Sequence, residues 1–179
     1  MIIAISGLSG CGKNTVGERV AAKLKLRPVR VSFKDEAARR GIPLMELQKL
    51  AGSDGGKLDR ELDAKVVAEA EKGDCVVMTW LAPWMVKNAD LRVWLNASEE
   101  ERAGRVAKRD GMAQEQALKH VRARDKDNME RYRKYYKIDI CERPGFDLEI
   151  NTGSFEPDSC AEIIAEAAEL LGPKKYEMG

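Results

Sequence analysis

The residues that most constrain this chain lie at its start, where an apolar run leads into a glycine-rich turn and a lysine. Residues 2–5 are apolar, as in a buried strand, and Gly7, Gly10 and Gly12 precede Lys13. Glycine lets the backbone turn tightly and approach an anion without a side-chain clash. Successive amide N–H groups at a helix N-terminus bind phosphate, and the lysine adds a mobile positive charge. The pattern therefore predicts a strand, a phosphate-binding loop and a helix that hold a nucleotide triphosphate.

The hydroxyl residue of this loop stands one position later than in the commonest form of such loops. Asn14 follows the lysine directly, and Thr15 supplies the hydroxyl. Magnesium keeps part of its hydration shell in proteins, so Thr15 is predicted to bind Mg²⁺ either directly or through water. The predicted nucleotide-binding residues are Gly7, Leu8, Ser9, Gly10, Cys11, Gly12, Lys13, Asn14 and Thr15.

Apolar runs of strand length alternate with helical periodicity along the rest of the chain. After the first strand, further strands are predicted at Val29–Ser32, Cys75–Trp80, Leu91–Leu95 and Leu148–Ile150. Helices are predicted at Thr15–Leu24, Phe33–Arg40, Pro43–Leu50, Leu58–Lys72, from the Ser98/Glu101 capping box to Arg109, Ala113–Tyr136 and Pro157–Leu171. This alternation predicts an α/β fold in one domain spanning residues 1–179, with helices on both faces of a parallel sheet.

Composition limits the partners that the chain is expected to have. Charged residues make up 34% of the sequence, but the net charge is only +1, which gives no argument for binding nucleic acid or a membrane. The first residues form a strand rather than a basic leader with a cleavage site, so a cytoplasmic location is expected. Four scattered cysteines without metal-ligand spacing are expected to be reduced thiols: Cys11, Cys75, Cys141 and Cys160.

A first charged region lies at residues 58–63. On a helix, Asp59 and Asp63 lie four residues apart on one face, with Arg60 beside them. These side chains can shape a site for a second, anionic substrate and its metal. The pattern fits a solvated helix face with local ion pairs equally well.

A second charged region is the long basic segment near residues 113–136. Arg124 and Arg131 lie seven residues apart and share a helical face, as do Arg105 and Arg109 on the preceding helix. Phosphoryl transfer depends on neutralising the charge of the transferred group, and a closing cover also excludes water. A basic helical cover over the phosphate loop is one interpretation, and an exposed helix with many salt bridges is the other.

The chain as a whole resembles the archaeal-type cytidylate kinases, a branch of the nucleoside monophosphate kinases within the P-loop kinases. The resemblance covers nearly all of residues 1–172. It rests on the phosphate loop, on Phe33-Lys34 with Ala37, and on the segments Leu58-Asp59-Arg60-Glu61-Leu62-Asp63, Ala89-Asp90-Leu91-Arg92-Val93-Trp94-Leu95, Arg105-Val106-Ala107-Lys108-Arg109-Asp110-Gly111, Arg131-Tyr132-Arg133-Lys134-Tyr135-Tyr136-Lys137-Ile138-Asp139-Ile140 and Phe146-Asp147-Leu148-Glu149-Ile150-Asn151-Thr152.

The resemblance implies a P-loop NTPase fold with a five-stranded parallel sheet, acceptor-binding helices at residues 33–72 and a helical lid at about residues 110–140. It implies transfer of the γ-phosphoryl group of ATP to CMP or dCMP with Mg²⁺, by an enzyme that is expected to be a monomer. By similarity, the catalytic residues would be Lys13 and the lid arginines, with Asp139 ordering the lid. The implied lid arginines are Arg109, Arg124 and Arg131, and the implied acceptor-site residues are Lys34, Arg60 and Asp63.

One segment departs from the family pattern. After the third strand the family usually reads roughly carboxylate, small residue, Arg, Leu, Ala, Gly, Trp, whereas this chain has Met78-Thr79-Trp80-Leu81-Ala82-Pro83-Trp84. Replacing the arginine removes a bidentate phosphate clamp, while Trp80 offers a ring that can stack on an acceptor. Three alternatives follow: a CMP kinase, a kinase for another nucleotide or nucleoside, and an ATP-binding regulatory protein with weak ATPase activity.

Overall fold

The computed structural model describes residues 1–31 and 33–171, with the backbone alone described at residues 34, 35, 44, 45 and 48. The described strands are β1 (Ile2–Gly7), β2 (Arg27–Val29), β3 (Cys75–Met78), β4 (Leu91–Asn96) and β5 (Leu148–Asn151). The described helices are α1 (Lys13–Leu24), α2 (Phe33–Arg40), α3 (Leu44–Ser53), α4 (Lys57–Ala70), α5 (Ala82–Met85), α6 (Glu99–Asp110), α7 (Gln114–Tyr136) and α8 (Pro157–Leu170).

The five strands form one parallel sheet in the order β2-β3-β1-β4-β5, which confirms the predicted fold class. β1 lies in the centre, where Ile5 pairs with Met78 of β3 and Gly7 pairs with Leu95 of β4. The carboxyl ends of parallel strands lie at one edge of the sheet, where α/β proteins bind their ligands. The glycine loop leaves β1 at this edge, between the ends of β3 and β4.

Both faces of the sheet are covered, as the all-apolar strand β1 requires. Ile3 and Ile5 pack on the side of α1 and α8, in a core that includes Val20 and Ile164. Ile2 and Ala4 face the opposite side, where they pack with Val66 of α4 and residues near α5. Because β1 is buried on both faces, the loop that follows it begins from a fixed backbone position.

Several predicted boundaries differ from the structure. β2 is Arg27–Val29 rather than Val29–Ser32, because its backbone pairs with β3 from Arg27 onwards; Ser32 lies outside the described residues. β3 ends at Met78, so Trp80 lies beyond the strand. The four-residue helix α5 was not predicted, because one turn of helix is too short to show periodicity. The capping box of α6 is confirmed, with the Ser98 amide donating to the Glu101 carboxylate at 2.8 Å.

Within the described part of the chain, no helix combines the length and the apolar character that a membrane crossing requires.

Candidate active site

The glycine loop wraps closely around the N-terminus of α1 and against α6. Gly12, the residue before α1, has φ 91°, and Gly10 has φ 78°, a region that residues with side chains rarely adopt. A Cβ atom on Gly10 would lie 2.5 Å from the backbone oxygen of Arg102 in α6. The loop therefore needs glycine at this position both for its conformation and for its contact with α6.

Lys13 directly follows the last glycine of the loop, and its side chain lies inside the loop. Its ammonium group donates hydrogen bonds to the carbonyl oxygens of Gly7 at 3.1 Å and Leu8 at 3.4 Å. The ammonium group also lies 5.1 Å from the ring centroid of Trp80. Burial lowers the pKa of Lys13, and the nearby positive charges of Arg124 and Arg102 lower it further. An anion placed beside Lys13 would relieve this repulsion between like charges.

A second set of contacts supports the far side of the loop. Arg105 donates to the carbonyl oxygen of Gly10 at 3.3 Å and to both the hydroxyl and the carbonyl oxygen of Thr152, at 2.9 and 2.6 Å. The Thr152 hydroxyl donates in turn to the carbonyl oxygen of Cys11 at 2.9 Å. These bonds hold the loop carbonyls in place, so the loop amides keep a fixed orientation.

A cavity of about 370 Å³ opens beside the loop, next to the Arg105–Thr152 contact. The Phe155 side chain forms part of its wall and is 47% exposed. Gly12, Thr15 and Pro157 also line the cavity. Its volume is within the range of small-molecule pockets.

A buried ion pair lies behind the loop and joins α6 to α7. Arg102 donates to Asp125 at 2.6 Å, and the two residues are 5% and 6% exposed. Both side chains also bind the backbone of Ser9: Arg102 donates to its carbonyl oxygen at 2.9 Å, and Asp125 accepts from its amide at 3.1 Å. The phosphate loop is thus attached to both helices of the α6–α7 pair.

A polar junction joins the first half of α4 to the last turns of α7. Asp59 is 4% exposed and forms an ion pair with Arg131, which is 8% exposed, at 3.3 Å. Asn128 accepts a further hydrogen bond from Arg131, and the guanidinium carbon of Arg131 lies 5.1 Å from the ring centroid of Phe33. Asp59 Oδ2 and Arg131 Nε have no hydrogen-bond partner among the described residues. Such buried atoms indicate a site where a polar ligand or water binds.

The second contact of this α4–α7 junction is between Asp63 and Tyr136. The Tyr136 hydroxyl donates a hydrogen bond to the Asp63 carboxylate. Burial raises the pKa of Asp63 to about 6, although the hydrogen bond from Tyr136 opposes the rise. The pKa of Tyr136 is raised as well, by burial and by its bond to the carboxylate. The Asp63 carboxyl group therefore exchanges its proton close to neutral pH.

We expect the free energy of unfolding to decrease as the pH rises through the pKa of Asp63. The folded protein holds this proton up to about pH 6, whereas an unfolded aspartate releases it near pH 4, so the folded state binds more protons between these values. The contribution of this group should fall by about 2 to 3 kcal/mol between pH 4 and pH 7, at about 1.4 kcal/mol per pKa unit.

Asp63→Asn should remove this contribution, because an amide has no proton to lose in this range. Urea unfolding of the wild type and of the variant at pH 4, 5, 6 and 7 gives the free energy of unfolding of each protein. The difference between the two values at each pH measures the contribution of the Asp63 carboxyl group. As the pH rises, the variant should gain stability relative to the wild type. A difference that is the same at every pH would show that the carboxyl group titrates normally.

The structure separates the three predicted lid arginines. Arg124 is half-buried, and the described residues offer it no hydrogen-bond or ion-pair partner. Burial lowers its pKa, and Arg109 lowers it further. Arg109 itself is exposed and binds its neighbour Asp110 through two hydrogen bonds of 2.7 and 2.6 Å. Arg131 points instead to Asp59 at the junction. Of these three arginines, only Arg124 lies close enough to Lys13 to lower its pKa, and Asp125 and Asp110 act on Arg124 at longer range than an ion pair.

The two sides of α7 differ in how their charges are paired. The outer side of α7 carries exposed salt bridges, formed by Lys119 with Glu115 and by Arg122 with Glu99. Arg133 binds Asp139 at 2.6 Å at the end of α7. Arg124 and Arg131 turn inward instead. On α4 the solvated-face interpretation is wrong for Asp59, because that carboxylate is buried against α7.

Two of the remaining predicted acceptor residues, Arg60 and Trp80, have different surroundings. Arg60 is exposed and donates to the carbonyl oxygen of Gly55 at 2.9 Å. Trp80 is half-buried between Lys13 and the Tyr132 ring, whose centroid is 6.1 Å from its own. The side chain of Lys34 lies outside the described residues.

The spacing of the charged residues alone does not predict the Arg102–Asp125 pair, although the sequence contains a signal for it. Buried residues of α7 recur at helical spacing: Ala117, Val121, Asp125, Asn128 and Tyr132. An aspartate in the middle of such a stripe must be buried, and a buried carboxylate needs a partner. Arg102 occupies the corresponding position on α6, four residues before the buried Val106.

Comparisons with a family model and with known sequences point to the same family. Residues 2–154 match the model of the cytidylate kinase-like family. The chain is 38% identical to a cytidylate kinase of Pyrococcus horikoshii, over 97% of this chain and 91% of the relative. It is 40% identical to a cytidylate kinase of Archaeoglobus fulgidus, over 95% of this chain and 96% of the relative.

Solved structures with lower sequence identity share the fold. A shikimate kinase from Bacteroides thetaiotaomicron matches with a TM-score of 0.63 at 18% identity, covering 95% of this chain and 99% of that chain. A deoxyadenosine kinase from M. mycoides with bound dCTP matches with a TM-score of 0.54 at 14% identity, covering 94% and 99%. These structures support the fold, while the family model and the sequence relatives identify the family: the chain belongs to the cytidylate kinase-like family and is a nucleotide kinase.

Proposed function

We propose that this kinase transfers the γ-phosphoryl group of ATP to CMP or dCMP. The observation that carries the proposal is the position of Lys13 and Arg124, two mutually repelling cations at the loop end of a site whose other end is the polar α4–α7 junction. Family members with nearly the whole chain in common are cytidylate kinases. The donor triphosphate would lie on the loop, and the acceptor would lie towards the junction.

On the donor side, the loop amides and Lys13 would bind the β- and γ-phosphates. The cavity beside Phe155 has room for the adenosine part of ATP, and its half-exposed ring offers a surface for stacking a base. Thr15, exposed in the first turn of α1, would hold magnesium together with water ligands. Magnesium, when bound, neutralises charge on the phosphates. The residues present therefore fit MgATP as the donor.

On the acceptor side, the unpartnered atoms of the junction match the edge of cytosine. Asp59 Oδ2 can accept from the cytosine amino group, and Arg131 Nε can donate to its ring nitrogen or carbonyl oxygen. Uracil has a carbonyl oxygen in place of the amino group, so the Asp59 carboxylate would face a second acceptor, and its ring N–H replaces the nitrogen that can accept from Arg131. Since a site with buried hydrogen-bonding groups rejects a ligand that cannot pair with them, the junction favours CMP over UMP.

For transfer, the acceptor phosphate must face the γ-phosphate in line, and the protein contributes mainly position and positive charge. Arg124, a residue of α7 close to Lys13, would contact the phosphoryl group while it passes from the donor to the acceptor. The helix α7, which joins the phosphate loop at Asp125 to the junction at Arg131, would serve as the lid that excludes water. Arg109, exposed here, would reach the phosphates only after rearrangement of its contact with Asp110.

One observation favours a second candidate, a kinase for a different nucleotide or a nucleoside. Trp80 occupies the segment in which the family's sequence pattern has an arginine, and it packs on Lys13 and Tyr132. An indole in this position binds an apolar or aromatic surface rather than a phosphate. The acceptor phosphate of CMP would then depend on cations elsewhere, of which Lys34 and Arg60 are the candidates.

The purified protein with ATP and Mg²⁺, offered CMP, dCMP, UMP, AMP, GMP, dTMP and nucleosides, should release ADP fastest with CMP or dCMP. We expect kcat/KM for CMP to exceed that for UMP by at least about 10-fold, since the discrimination rests on buried hydrogen bonds. Stimulation by a different acceptor alone would select the second candidate. ATP binding without stimulation by any acceptor would point to a regulatory protein.

Asp59→Asn tests the assignment of the base-reading residue. An amide can turn its NH₂ group towards the uracil oxygen, so the ratio of CMP to UMP activity should fall by about 10-fold or more. Glu61→Gln is the matched control, because Glu61 lies on the same helix and forms exposed ion pairs with Lys65 and Arg40. An unchanged ratio in Asp59→Asn would place base recognition elsewhere.

A further inference from the structure

The residue that links the phosphate loop to α7 is Asp125, an acid on the buried stripe of that helix. Its carboxylate is 6% exposed and divides its two oxygens between two partners. One oxygen accepts from Arg102 of α6 at 2.6 Å, and the other accepts from the amide of Ser9 at 3.1 Å. The described structure therefore leaves neither carboxylate oxygen without a partner.

Both backbone polar groups of Ser9 are bound by this one ion pair. The Ser9 amide donates to Asp125, and the Ser9 carbonyl oxygen accepts from Arg102 at 2.9 Å. The next residue, Gly10, packs directly on the backbone of Arg102, where a Cβ atom would clash. Two helices that lie about 90 and 115 residues further along the chain thus fix the same point of the phosphate loop.

Stability alone does not explain a charged pair at this point. A buried ion pair is often no more stabilising than apolar side chains of similar volume. A carboxylate near a phosphate loop would also repel the phosphates unless a cation neutralised it, and Arg102 supplies that cation at 2.6 Å. What the pair provides that apolar residues cannot is a directional bond from α7 to one amide of the loop.

That bond determines where the neighbouring residue of α7 points. Arg124 directly precedes Asp125. Because each residue of an α-helix is rotated and raised by a fixed amount from the one before it, the two side chains keep a fixed orientation relative to each other. With Asp125 bound to Ser9, the Arg124 guanidinium lies close enough to Lys13 to lower its pKa. A displacement of about 1 Å in such a group can reduce the rate of a positioned reaction about 100-fold.

We propose that Asp125 is a positioning residue, which sets α7 on the phosphate loop through Ser9 and Arg102 and so directs Arg124 to the transferred phosphate. The inference rests on the proposed phosphoryl transfer. It assigns Asp125 no contact with either nucleotide. The bond to Ser9 also makes this section of α7 move together with the loop, so that any closure of the lid must pivot there.

Asp125→Glu is the first test, because it keeps the charge and the ion pair but moves the carboxylate by about 1.5 Å, one carbon–carbon bond. We expect kcat with ATP and CMP to fall about 10- to 100-fold, with KM for ATP changing by less than about 3-fold, since Arg124 acts on the transferred group rather than on ATP binding. Glu130→Gln, an exposed position on the same helix, should retain the wild-type kcat.

A double variant separates positioning from stability. Arg102→Met with Asp125→Leu replaces the ion pair by apolar side chains but leaves the amide and carbonyl groups of Ser9 unpaired, so its melting temperature should fall by several degrees, and its kcat is compared well below that temperature. Its kcat should remain at least about 10-fold low, because the bond to Ser9 is absent. Wild-type kcat in Asp125→Glu, or in a stably folded double variant, overturns the inference. A wild type that phosphorylates no nucleotide overturns the proposed function, and this inference with it.

Discussion

Lys13→Met should lower kcat for phosphoryl transfer by at least about 100-fold, because removing one preorganised group that binds developing charge costs about 10²- to 10³-fold. The Lys13 ammonium group lies inside the loop and close to Arg124, so a bound phosphate would gain charge neutralisation from both. Methionine keeps the length and the apolar stem of the side chain. The contact with the Trp80 ring is therefore largely preserved, and the loss should be of charge rather than of packing.

Initial rates of ADP formation with saturating ATP and CMP, together with thermal unfolding, measure this effect. Lys23→Met is the matched control, because Lys23 lies on the same helix and forms an exposed pair with Glu162. The control should retain its rate, and both variants should unfold within a few degrees of the wild type. A Lys13→Met enzyme with normal kcat would show that the loop is not the donor site.

The glycine loop could be predicted from sequence because its signal is local. Gly10, Gly12 and Lys13 follow one another within four residues, and their spacing alone determines a loop that fits phosphate. The sheet was also predictable, since its strands alternate with helices and β1 is apolar on both faces. Each of these signals lies within one short stretch of sequence, so it can be recognised without knowing which distant element the stretch contacts.

The α4–α7 junction could not be predicted in the same way, because its contacts join distant parts of the chain. Asp59 meets Arg131, and Asp63 meets Tyr136, across more than seventy positions. Spacing on one helix shows which residues share a face, but it does not show what that face packs against. Arg124 and Arg131 illustrate this limit: they were correctly placed on one helical face, yet one lies near Lys13 and the other binds Asp59.

Trp80 shows a further limit of sequence comparison. The family pattern identified the position as altered, and the structure adds what the replacement contacts: Lys13 on one side and Tyr132 on the other. A tryptophan between the loop and α7 is a packing element as well as a candidate surface for the acceptor. The sequence alone contains no information on which of these contacts forms, since the three residues lie in separate elements.

Arg124→Met should reduce kcat about 10²- to 10³-fold while changing KM for ATP little. An arginine that contacts the transferred phosphoryl group in related reactions contributes 10³-fold or more, and a single preorganised donor contributes about 10²- to 10³-fold. Arg124 fits this role because it is a half-buried cation that forms no ion pair or hydrogen bond within the described chain, where Asp125 and Asp110 act on it only at longer range. Its charge is thus available to a ligand, in contrast to that of Arg131.

Arg122→Met provides the control, because Arg122 lies two residues away on the outer side of α7 and pairs with Glu99 at 2.7 Å. The same change in charge and volume at that position should leave kcat within about 2-fold, as expected for an exposed ion pair. Arg124→Lys distinguishes charge from geometry: lysine keeps the charge but lacks the planar guanidinium, so it should recover only part of the lost rate. Equal rates for Arg124→Met and Arg122→Met would remove Arg124 from the reaction. In that case the repulsion between Arg124 and Lys13 would be relieved by an anion other than the transferred phosphoryl group. The proposal that Arg124 contacts this group would then be wrong.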